Sequence, residues 1–332
     1  MARVSDRGKP LDPTSKTGTI GDLGEFGLID AVTSRLPGGA DVLLGPGDDA
    51  AVVTAADGRV VATTDLLVEG VHFRRDWSEA PDVGHKAAAQ NLADIAAMGA
   101  RPTALLVGLA APADLPTAWA RGLADGLAAE ASRAGAAVVG GDVVASDRLV
   151  VSVTALGSLD GRAPVTRSGA REGDLVAVRG RLGWSAGGLA VLTRGFRSPR
   201  ALVEAHRRPM PDYAAGPIAA AHGATAMVDT SDGLLADLRH VADASGVRIE
   251  LDLAALEIAS TLRDAAAALG KDPIEWVLTG GEDHALAATF PAETGAPDGW
   301  VVLGRVVAGS GVVVAGLDGA YEGPGGWRHY SA

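Results

Sequence analysis

Five short motifs place an aspartate or glutamate where an apolar run meets a turn or a helix. The motifs are GPGDDAA (45–51), TTDLLVEGVHF (63–73), GGD (140–142), DTSDG (229–233) and TGGED (279–283). Carboxylates beside glycines at strand ends are exposed and point toward a common crevice. Such hard oxygen ligands suit Mg²⁺, which keeps several waters and usually takes one or two carboxylates plus substrate phosphates. The five motifs together therefore predict a polynuclear metal and phosphate site.

Each motif on its own is also compatible with a simpler role. An aspartate before a turn commonly makes an Asx turn or a helix N-cap, and the run from Asp229 to Asp232 precedes an apolar helical segment. Capping does not explain why five such motifs recur in one chain, so the recurrence favours the metal and phosphate site. Zinc is disfavoured because the chain has no cysteine and no His-x-x-x-His pair.

Four isolated residues are weaker candidates, because their types also suit ordinary structural roles. His72, after a strand, suits a surface or core position, and Lys86, in a helix, suits a solvated face. Arg167, in VTRSG, suits either a surface charge or a contact to a phosphate or base. Trp327, near the C-terminal end, suits either packing or stacking on a ring.

The composition argues against several classes of function. Of 332 residues, 29 are basic and 41 acidic, for a formal charge of −12, with lysine only at positions 9, 16, 86 and 271. This leaves no broad basic surface for a nucleic-acid backbone. The absence of cysteine removes disulfides, thiol nucleophiles and redox sensing. Because we find no apolar run of membrane-spanning length and no apolar signal core in residues 1–19, we expect a soluble cytoplasmic protein without a membrane partner.

Common nucleotide-binding loops are missing from the sequence. The chain has no G-x-x-x-x-G-K-[ST] loop and no G-x-G-x-x-G leading from a strand into a helix. If ATP binds, the sequence therefore predicts a Mg²⁺-based arrangement rather than a glycine loop.

Apolar periodicity and turn residues predict the helices that position the motifs. Residues 1–19 hold few apolar side chains, so we expect a disordered tail there. An alanine-rich helix is predicted over 82–98, with Asn91 and Asp94 on one face. A second helix is predicted over 114–135, with proline in its first turn and glycine at its end.

Two strand predictions concern the metal motifs directly. The runs 50–54 and 59–64 flank Ala-Asp-Gly and predict a hairpin, whose outer ends would bring Asp49 and Asp65 together. The buried run 136–140 predicts a strand that stops at the GGD motif. Strands and helices alternate again in the second half of the chain, as expected of a mixed α and β protein.

In these residues the chain resembles the thiamine-monophosphate kinases, of a superfamily that also holds aminoimidazole ribonucleotide synthetase, selenophosphate synthetase and a hydrogenase-maturation carbamoyl dehydratase. The matching elements run in the family's order: GEFGLI (24–29), GDDA (47–50), TDLLVEGVHF (64–73), NLADIAAMGA (91–100), GGD (140–142), TRSGA (166–170), DTSDGL (229–234) and GGED (280–283), with a weaker match at GWRHY (326–330). Selenophosphate synthetase and the dehydratase use a cysteine or selenocysteine, so the cysteine-free chain resembles the thiamine-phosphate enzymes more closely.

The resemblance implies a role for each matched residue. Those implied to bind Mg²⁺, the threonines through hydroxyl or main-chain oxygen, are Asp49, Thr63, Thr64, Asp65, Asp94, Asp142, Asp229 and Asp232. Those implied to contact ATP are Gly141, Asp142, Arg167 and Ser231. Those implied to contact thiamine monophosphate are His72, Glu282 and Trp327, with Tyr330 as the alternative to Trp327. Two residues depart from the family: Thr230 stands where an apolar residue is common, and His284 where tyrosine is common.

The resemblance also implies a fold, an assembly and a reaction. The fold would be α/β of the α+β type, a two-domain aminoimidazole ribonucleotide synthetase-like architecture with mixed sheets and helices packed on one face. The polar, turn-rich stretch 160–174 predicts the boundary between the two domains. After the tail, residues 20–158 would bind ATP and Mg²⁺ and pair two protomers into a homodimer, and residues 159–332 would complete the active site. The reaction would be direct, in-line transfer of the ATP γ-phosphoryl group to thiamine monophosphate, with several Mg²⁺ ions and no protein nucleophile. A monovalent-cation requirement stays open.

Three alternatives remain open from the sequence. The protein could be another ATP-dependent enzyme of the same superfamily, such as a purine-pathway synthetase, which assays of ADP release with different acceptors would reveal. It could be a non-catalytic nucleotide or metal sensor, which would bind ATP without acceptor-dependent hydrolysis. It could also be an acidic globular protein whose aspartates only cap helices, and which would show no Mg²⁺-dependent ATP binding.

Overall fold

A computed structural model describes residues 18–45, 51–256, 258–315 and 326. In the first half of the chain the elements are α1 Ile20–Thr33, β1 Val42–Leu44, β2 Val52–Val53, β3 Val61–Val68, α2 Ala80–Ala97, β4 Arg101–Ala111, α3 Thr117–Arg133, β5 Ala137–Ala145 and β6 Val150–Ser158. In the second half they are β7 Leu175–Arg179, α4 Trp184–Thr193, α5 Arg200–Arg207, α6 Ala215–His222, β8 Ala226–Asp229, α7 Leu234–Ser245, β9 Arg248–Asp252, α8 Ser260–Leu269, α9 Pro273–Thr279, β10 Leu286–Phe290, β11 Val301–Val307 and β12 Gly311–Ala315.

The first sheet has four strands in the order β3-β6-β4-β5, with β4 and β5 parallel and the other neighbours antiparallel. Its helix-covered face packs against α2 and α3 through alternate strand residues such as Leu67, Val151 and Leu105. Gly84 and Gly126 let the two helices approach closely, because a Cβ at either position would overlap main-chain atoms of the other helix. This tight packing fixes the position of α2.

The second sheet has six strands in the order β12-β9-β11-β7-β10-β8, and only β12 and β9 pair in parallel among these neighbours. On one face, α7 packs through Leu234 and Leu238 against Val176 of β7. On the other face, Met227 of β8 and Phe290 of β10 share a buried cluster with α2. Helix α2 therefore lies between the two sheets, and side chains near its end approach both halves of the chain.

The predicted fold class, α/β of the α+β type with mixed sheets and helices packed on one face, is confirmed. In the second sheet, α2 and α7 cover opposite faces. The helices predicted over 82–98 and 114–135 are also confirmed, with bounds that differ by three residues or fewer. Among the described residues, no helix is both long enough and apolar enough to cross a membrane.

The predicted hairpin between 50–54 and 59–64 is wrong. Strand β2 pairs with β1, whereas β3 pairs along its whole length with β6. The turn-forming Ala-Asp-Gly is present, with Gly58 at φ +75°. Strand β2 has two residues and could offer β3 only a few hydrogen bonds. Strand β6 pairs with all eight residues of β3, so the β3–β6 pairing is the more stable one.

The predicted strand end at the GGD motif is also wrong. Strand β5 continues through Gly141 and Asp142 to Ala145, because β4 extends alongside it as a parallel partner to Ala111. At the start of the described chain, the Thr19 hydroxyl caps α1 by accepting from the Asp22 N–H. Residues 1–17 of the predicted tail lie outside the described residues, and the domain division at 158/159 stays a prediction.

Candidate active site

A cleft of about 500 Å³ opens between the two halves of the chain. Its walls include Thr63 of β3, Asp94 of α2, Arg167 of the segment between the sheets, and Asp229 at the end of β8. The Arg167 main chain is fixed in place, since its carbonyl accepts a hydrogen bond from the Ser245 hydroxyl at 2.9 Å. Elements of both halves therefore build the cleft, and carboxylates stand on two sides of it.

Strand alternation places the side chains of Thr63 and Asp65 on the helix-covered face of the first sheet, opposite α2. The Thr63 hydroxyl donates to Asp94 Oδ2 at 2.7 Å, and the Asp65 N–H donates to Asn91 Oδ1 at 2.9 Å. Asn91 is buried and donates in turn to the Ala87 carbonyl at 2.9 Å. Asn91 and Asp94 thus face β3 from the same side of α2, as their spacing predicts.

The Asp94 carboxyl sits where negative charge is concentrated. Burial raises its pKa, and the charges of Asp229 and Asp65 raise it further. The Thr63 hydroxyl and His284 act in the opposite direction, and the pKa stays at about 7. Positively charged ligands would be stabilised at such a place, and shifts of this kind are typical of functional sites.

Asp229 is paired with a residue that departs from the family pattern. Its Oδ2 lies 3.0 Å from Nδ1 of His284, and both side chains are buried. Burial lowers the pKa of His284, but the hydrogen bond and charge of Asp229 outweigh it and raise the pKa overall. The backbone of His284 adopts φ +51°, a conformation that is uncommon for residues other than glycine. The structure therefore places His284 in contact with Asp229, a residue of the cleft wall.

The DTSDG loop is anchored by Asp237, a residue outside the five acidic motifs. Asp237, in the first turn of α7, accepts hydrogen bonds from the N–H groups of Asp232 and Gly233 at 3.1 and 2.9 Å. Burial and the charges of Asp229 and Asp232 raise the pKa of Asp237 to about 8. The sequence signal for this anchor is an acidic residue in the first turn of a helix. The same loop presents the Ser231 carbonyl, which accepts from the Glu282 N–H at 2.8 Å.

A second charged group lies where α2 meets the TGGED loop. Lys86 Nζ lies 2.8 Å from Glu282 Oε1 and donates to the His72 carbonyl at 3.1 Å. Lys86 is buried rather than solvated. Burial raises the pKa of Glu282, but the charge of Lys86, followed by the charge of His206 and the hydrogen bond of Lys86, outweighs it and lowers the pKa to about 2. The Val68 N–H donates to Nδ1 of His72, which assigns the imidazole proton to Nε2.

A further motif, GWSAG (183–187), matches the G-x-S-x-G pattern of hydrolase nucleophiles. Ser185 is buried, and its Oγ lies 3.1 Å from Nδ1 of His206. Glu282 Oε2 approaches the same nitrogen, at 3.5 Å. A nucleophilic relay needs one ring nitrogen for the serine and the other for the carboxylate, so this arrangement does not activate Ser185.

Some of the residues implied by the resemblance lie away from the cleft of their own chain. The side chains of Thr64 and Asp142 point to the open face of the first sheet, because their neighbours Thr63 and Val143 face the helices. Gly141 lies beside Asp142 in β5, and strands β4 and β6 separate both from β3. Asp49, Trp327 and Tyr330 are outside the described residues.

The side chains that the structure does gather fit a divalent cation such as Mg²⁺. Thr63, Asp65, Asp94 and Asp229 offer only oxygen donors, and burial together with the charges of Asp229 and Asp65 raises the pKa of Asp94. In the part of the chain that the structure describes, no three acidic or histidine side chains converge as a complete metal site. A cation that binds few carboxylates and fills its shell with waters and phosphates matches this sparse donor set.

Comparison with known proteins identifies the class and then the family. The chain matches the AIR synthase related protein N-terminal domain over residues 47–159 and the corresponding C-terminal domain over 171–316. These matches, with the two mixed sheets and the cleft between them, define an AIR synthase-related protein. Across 314 residues the chain is 54% identical to the thiamine-monophosphate kinase of Mycobacterium tuberculosis, covering 94% of this chain and 93% of that protein. The chain therefore belongs to the thiamine-monophosphate kinase family.

Solved structures of relatives agree with this assignment. The thiamine-monophosphate kinase from Stenotrophomonas maltophilia K279a superposes with a TM-score of 0.77 at 36% identity, covering 87% of this chain and 96% of that one. A structure of AaThiL complexed with AMPPCP and TMP superposes with a TM-score of 0.75 at 34% identity, covering 95% and 100% of the two chains.

Proposed function

We propose that this protein transfers the γ-phosphoryl group of ATP to the phosphate of thiamine monophosphate, forming thiamine diphosphate and ADP. The observation that carries the proposal is the cleft lined by both Asp94 and Asp229, one from each half of the chain, where burial and then the charge of Asp229 raise the pKa of Asp94 to about 7. The M. tuberculosis relative, similar over nearly the whole chain, supports the reaction, and the relative complexed with AMPPCP and TMP supports both substrates.

The acceptor needs little activation by the protein. A phosphate monoester has a second pKa of about 6, so its oxygen is mostly ionised at pH 7 and needs no strong general base. We therefore propose direct in-line transfer without a phosphoenzyme. The burial of Ser185 and its shared contact with His206 support the absence of a protein nucleophile.

Two polyanions must meet in the cleft, and the lysines at positions 9, 16, 86 and 271 are too few to screen their repulsion. Several bound Mg²⁺ ions would neutralise phosphate charge and stabilise the charge that develops on the transferred group. The proposed ligands of these ions are Asp49, Thr63, Thr64, Asp65, Asp94, Asp142, Asp229 and Asp232. Oxygen-only donors and the uncompensated charge at Asp94 support this assignment.

The remaining contacts divide between the two substrates. For ATP, Arg167 offers a planar guanidinium at the cleft wall, a group suited to phosphate oxygens. The other proposed ATP contacts are Gly141, Asp142 and Ser231. The proposed contacts of thiamine monophosphate are His72, Glu282 and Trp327.

We further propose that two copies pair through the open face of the first sheet. Leu66, Leu106 and Val144 point to this face and are 52%, 38% and 53% exposed. Clustered apolar side chains on a surface are typical of protein interfaces. Thr64 and Asp142 lie on the same face, so pairing would surround two proposed ligands that lie outside the cleft of their own chain. Sedimentation at micromolar concentration should give the mass of a dimer, and a monomer would contradict the pairing.

A coupled assay of ADP together with chromatographic detection of thiamine diphosphate tests the proposed reaction. We expect equimolar products from ATP and thiamine monophosphate, loss of turnover in EDTA, and recovery when excess Mg²⁺ is added. ADP release with a purine-pathway intermediate, but not with thiamine monophosphate, would identify a different enzyme of the superfamily. ATP binding without turnover of any acceptor would instead identify a sensor.

A further inference from the structure

One buried ammonium group contacts both described residues that the proposed function assigns to thiamine monophosphate. Lys86, on α2, is 2% exposed. Its Nζ lies 2.8 Å from Glu282 Oε1 and donates to the His72 carbonyl at 3.1 Å. His72 follows β3 in the first half of the chain, and Glu282 precedes β10 in the second. The Lys86 ammonium group therefore contacts one residue from each half of the chain, His72 and Glu282.

Glu282 is held in an uncommon conformation. Its φ is +63°, a region that residues other than glycine rarely adopt, and its N–H donates to the Ser231 carbonyl at 2.8 Å. Strained backbone persists where the surroundings over-determine it, and it clusters at ligand sites. The Glu282 side chain is nevertheless 31% exposed. Its carboxylate can therefore bind the buried lysine and still reach a ligand.

The second side chain at this carboxylate does not replace the lysine. Nδ1 of His206 lies 3.5 Å from Glu282 Oε2. Burial, and then the charge of Lys86, lower the pKa of His206 to about 3, so this imidazole is neutral at pH 7. Lys86 supplies the positive charge that contacts Glu282.

Lys86 also shares a helix face with the carboxylate wall of the cleft. Lys86 and Asp94 are separated by two helical turns on α2, which places them on one side and about 12 Å apart along the axis. A substrate with its phosphate near Asp94 and its rings near Glu282 would extend along this face. The helix would then set the distance between the two ends of the binding site.

We infer that Lys86 is a positioning residue for thiamine monophosphate. It orients the Glu282 carboxylate toward the amino and cationic groups of the substrate rings, and it holds the His72 segment at a fixed distance from that carboxylate. Lys86 contacts protein atoms and takes no part in phosphoryl transfer. This role rests on the proposed function. It predicts that loss of Lys86 weakens the binding of thiamine monophosphate and leaves the binding of ATP unchanged.

Steady-state kinetics of the full-length Lys86→Met variant test this role. We expect KM for thiamine monophosphate to rise about 10- to 100-fold, the scale of a lost charge-assisted hydrogen bond, while KM for ATP and kcat change by about twofold or less. Glu282→Gln should give a similar rise. Because the two residues act as a unit, the double variant should show no larger rise than Glu282→Gln alone.

The matched control is Arg208→Gln. Arg208 pairs with Asp82, so this variant also removes an ion pair between α2 and the second half, one turn away from Lys86. It should leave KM for thiamine monophosphate unchanged. A parallel rise of both KM values in Lys86→Met, or penalties that add in the double variant, would overturn the positioning role. If Lys86→Met does not fold, the test uses the double variant Lys86→Met with Glu282→Gln, in which no carboxylate is left unpaired. Its KM for thiamine monophosphate is compared with that of Glu282→Gln alone, and a larger value in the double variant would overturn the positioning role.

The wild-type protein, measured first, separates this inference from the proposed function. If it does not convert thiamine monophosphate, the proposed function fails, and the role of Lys86 fails with it. If it does convert thiamine monophosphate and Lys86→Met keeps the wild-type KM, the role of Lys86 alone is overturned.

Discussion

Helices α2 and α3 each carry a carboxylate close to the second half of the chain, and the two carboxylates have opposite surroundings. Glu130 of α3 is 2% exposed and is contacted by three donors. His85 Nδ1 lies 2.9 Å from Glu130, Arg133 Nε donates to it at 3.0 Å, and the Tyr213 hydroxyl donates to it as well. Burial raises the pKa of Glu130, but these partners outweigh it and lower the pKa to about 2.

Asp94 of α2 is in the reverse situation. It receives a hydrogen bond from the Thr63 hydroxyl, but the charges of Asp229 and Asp65 add to its burial, and its pKa is raised to about 7. Glu130 thus stabilises the fold through contacts that are already complete. Asp94 is destabilised in the free protein, and a bound cation would relieve it. Between these two helices, a carboxylate with complete charge compensation therefore has a structural role, whereas one without it belongs to the proposed site.

The largest effect is expected from Asp94→Asn. The amide keeps an acceptor for the Thr63 hydroxyl but removes the charge that faces Asp229, so the free energy of unfolding should stay constant or rise. If Asp94 holds a metal ion, kcat should fall roughly a thousandfold or more. Assays at saturating ATP, thiamine monophosphate and Mg²⁺ check the fall in kcat, and thermal unfolding checks the stability.

Asp125→Asn provides the control for Asp94→Asn. Asp125 is a half-exposed carboxylate on α3 that pairs with Arg35 on the surface. Its variant should keep wild-type turnover. Near-normal turnover in Asp94→Asn as well would remove Asp94 from the proposed site.

The next effect, on stability rather than turnover, is expected from Glu130→Gln. Removing one partner of a buried ionic network commonly costs about 3 kcal/mol or more of unfolding free energy, because the remaining charges stay buried without compensation. Urea denaturation should show this loss, while kcat at low temperature should stay at the wild-type value, since Glu130 is not part of the cleft. Glu204→Gln, at a more exposed pair with Arg200, should cost about 0.5 kcal/mol or less. A large loss of kcat in folded Glu130→Gln would contradict the assignment of a purely structural role to Glu130.

The sequence predicts the position of Asp94 on α2 better than the partners of Glu130 on α3. Helix α2 is visible in its alanine-rich run and in Gly99 just after its end, where φ is +72°. The spacing of Asn91 and Asp94 then correctly places both on one face. The other cleft residues, Thr63, Arg167 and Asp229, lie in motifs that resemble those of the family. Local sequence signals are therefore sufficient to place functional side chains that lie on a single helix.

Long-range pairing is what the sequence does not reveal. Nothing near Glu130 indicates that Tyr213 will reach it, and nothing near Lys86 indicates that Glu282 will cover it. The faces of Thr64 and Asp142 follow only from strand register, which local hairpin signals misjudged at β3. These features depend on contacts between distant segments, whose free energies compete with local turn preferences.

The smallest expected effect is in the pH dependence of stability at Glu130. Its pKa is about 2 in the folded protein and 4.5 as the ordinary value, so the unfolded chain binds more protons between these values. The stabilisation of the folded protein by ionised Glu130 is therefore complete above pH 4.5 and is lost as the pH falls toward 2.

Between pH 5.5 and pH 3.5, the difference in unfolding free energy between wild type and Glu130→Gln should shrink by about 1 kcal/mol. Urea denaturation of both proteins at the two pH values measures it, and other groups largely cancel in the difference. A difference that stays constant, or grows, would show that the Glu130 network does not hold an ionised carboxylate and would remove the contrast with Asp94.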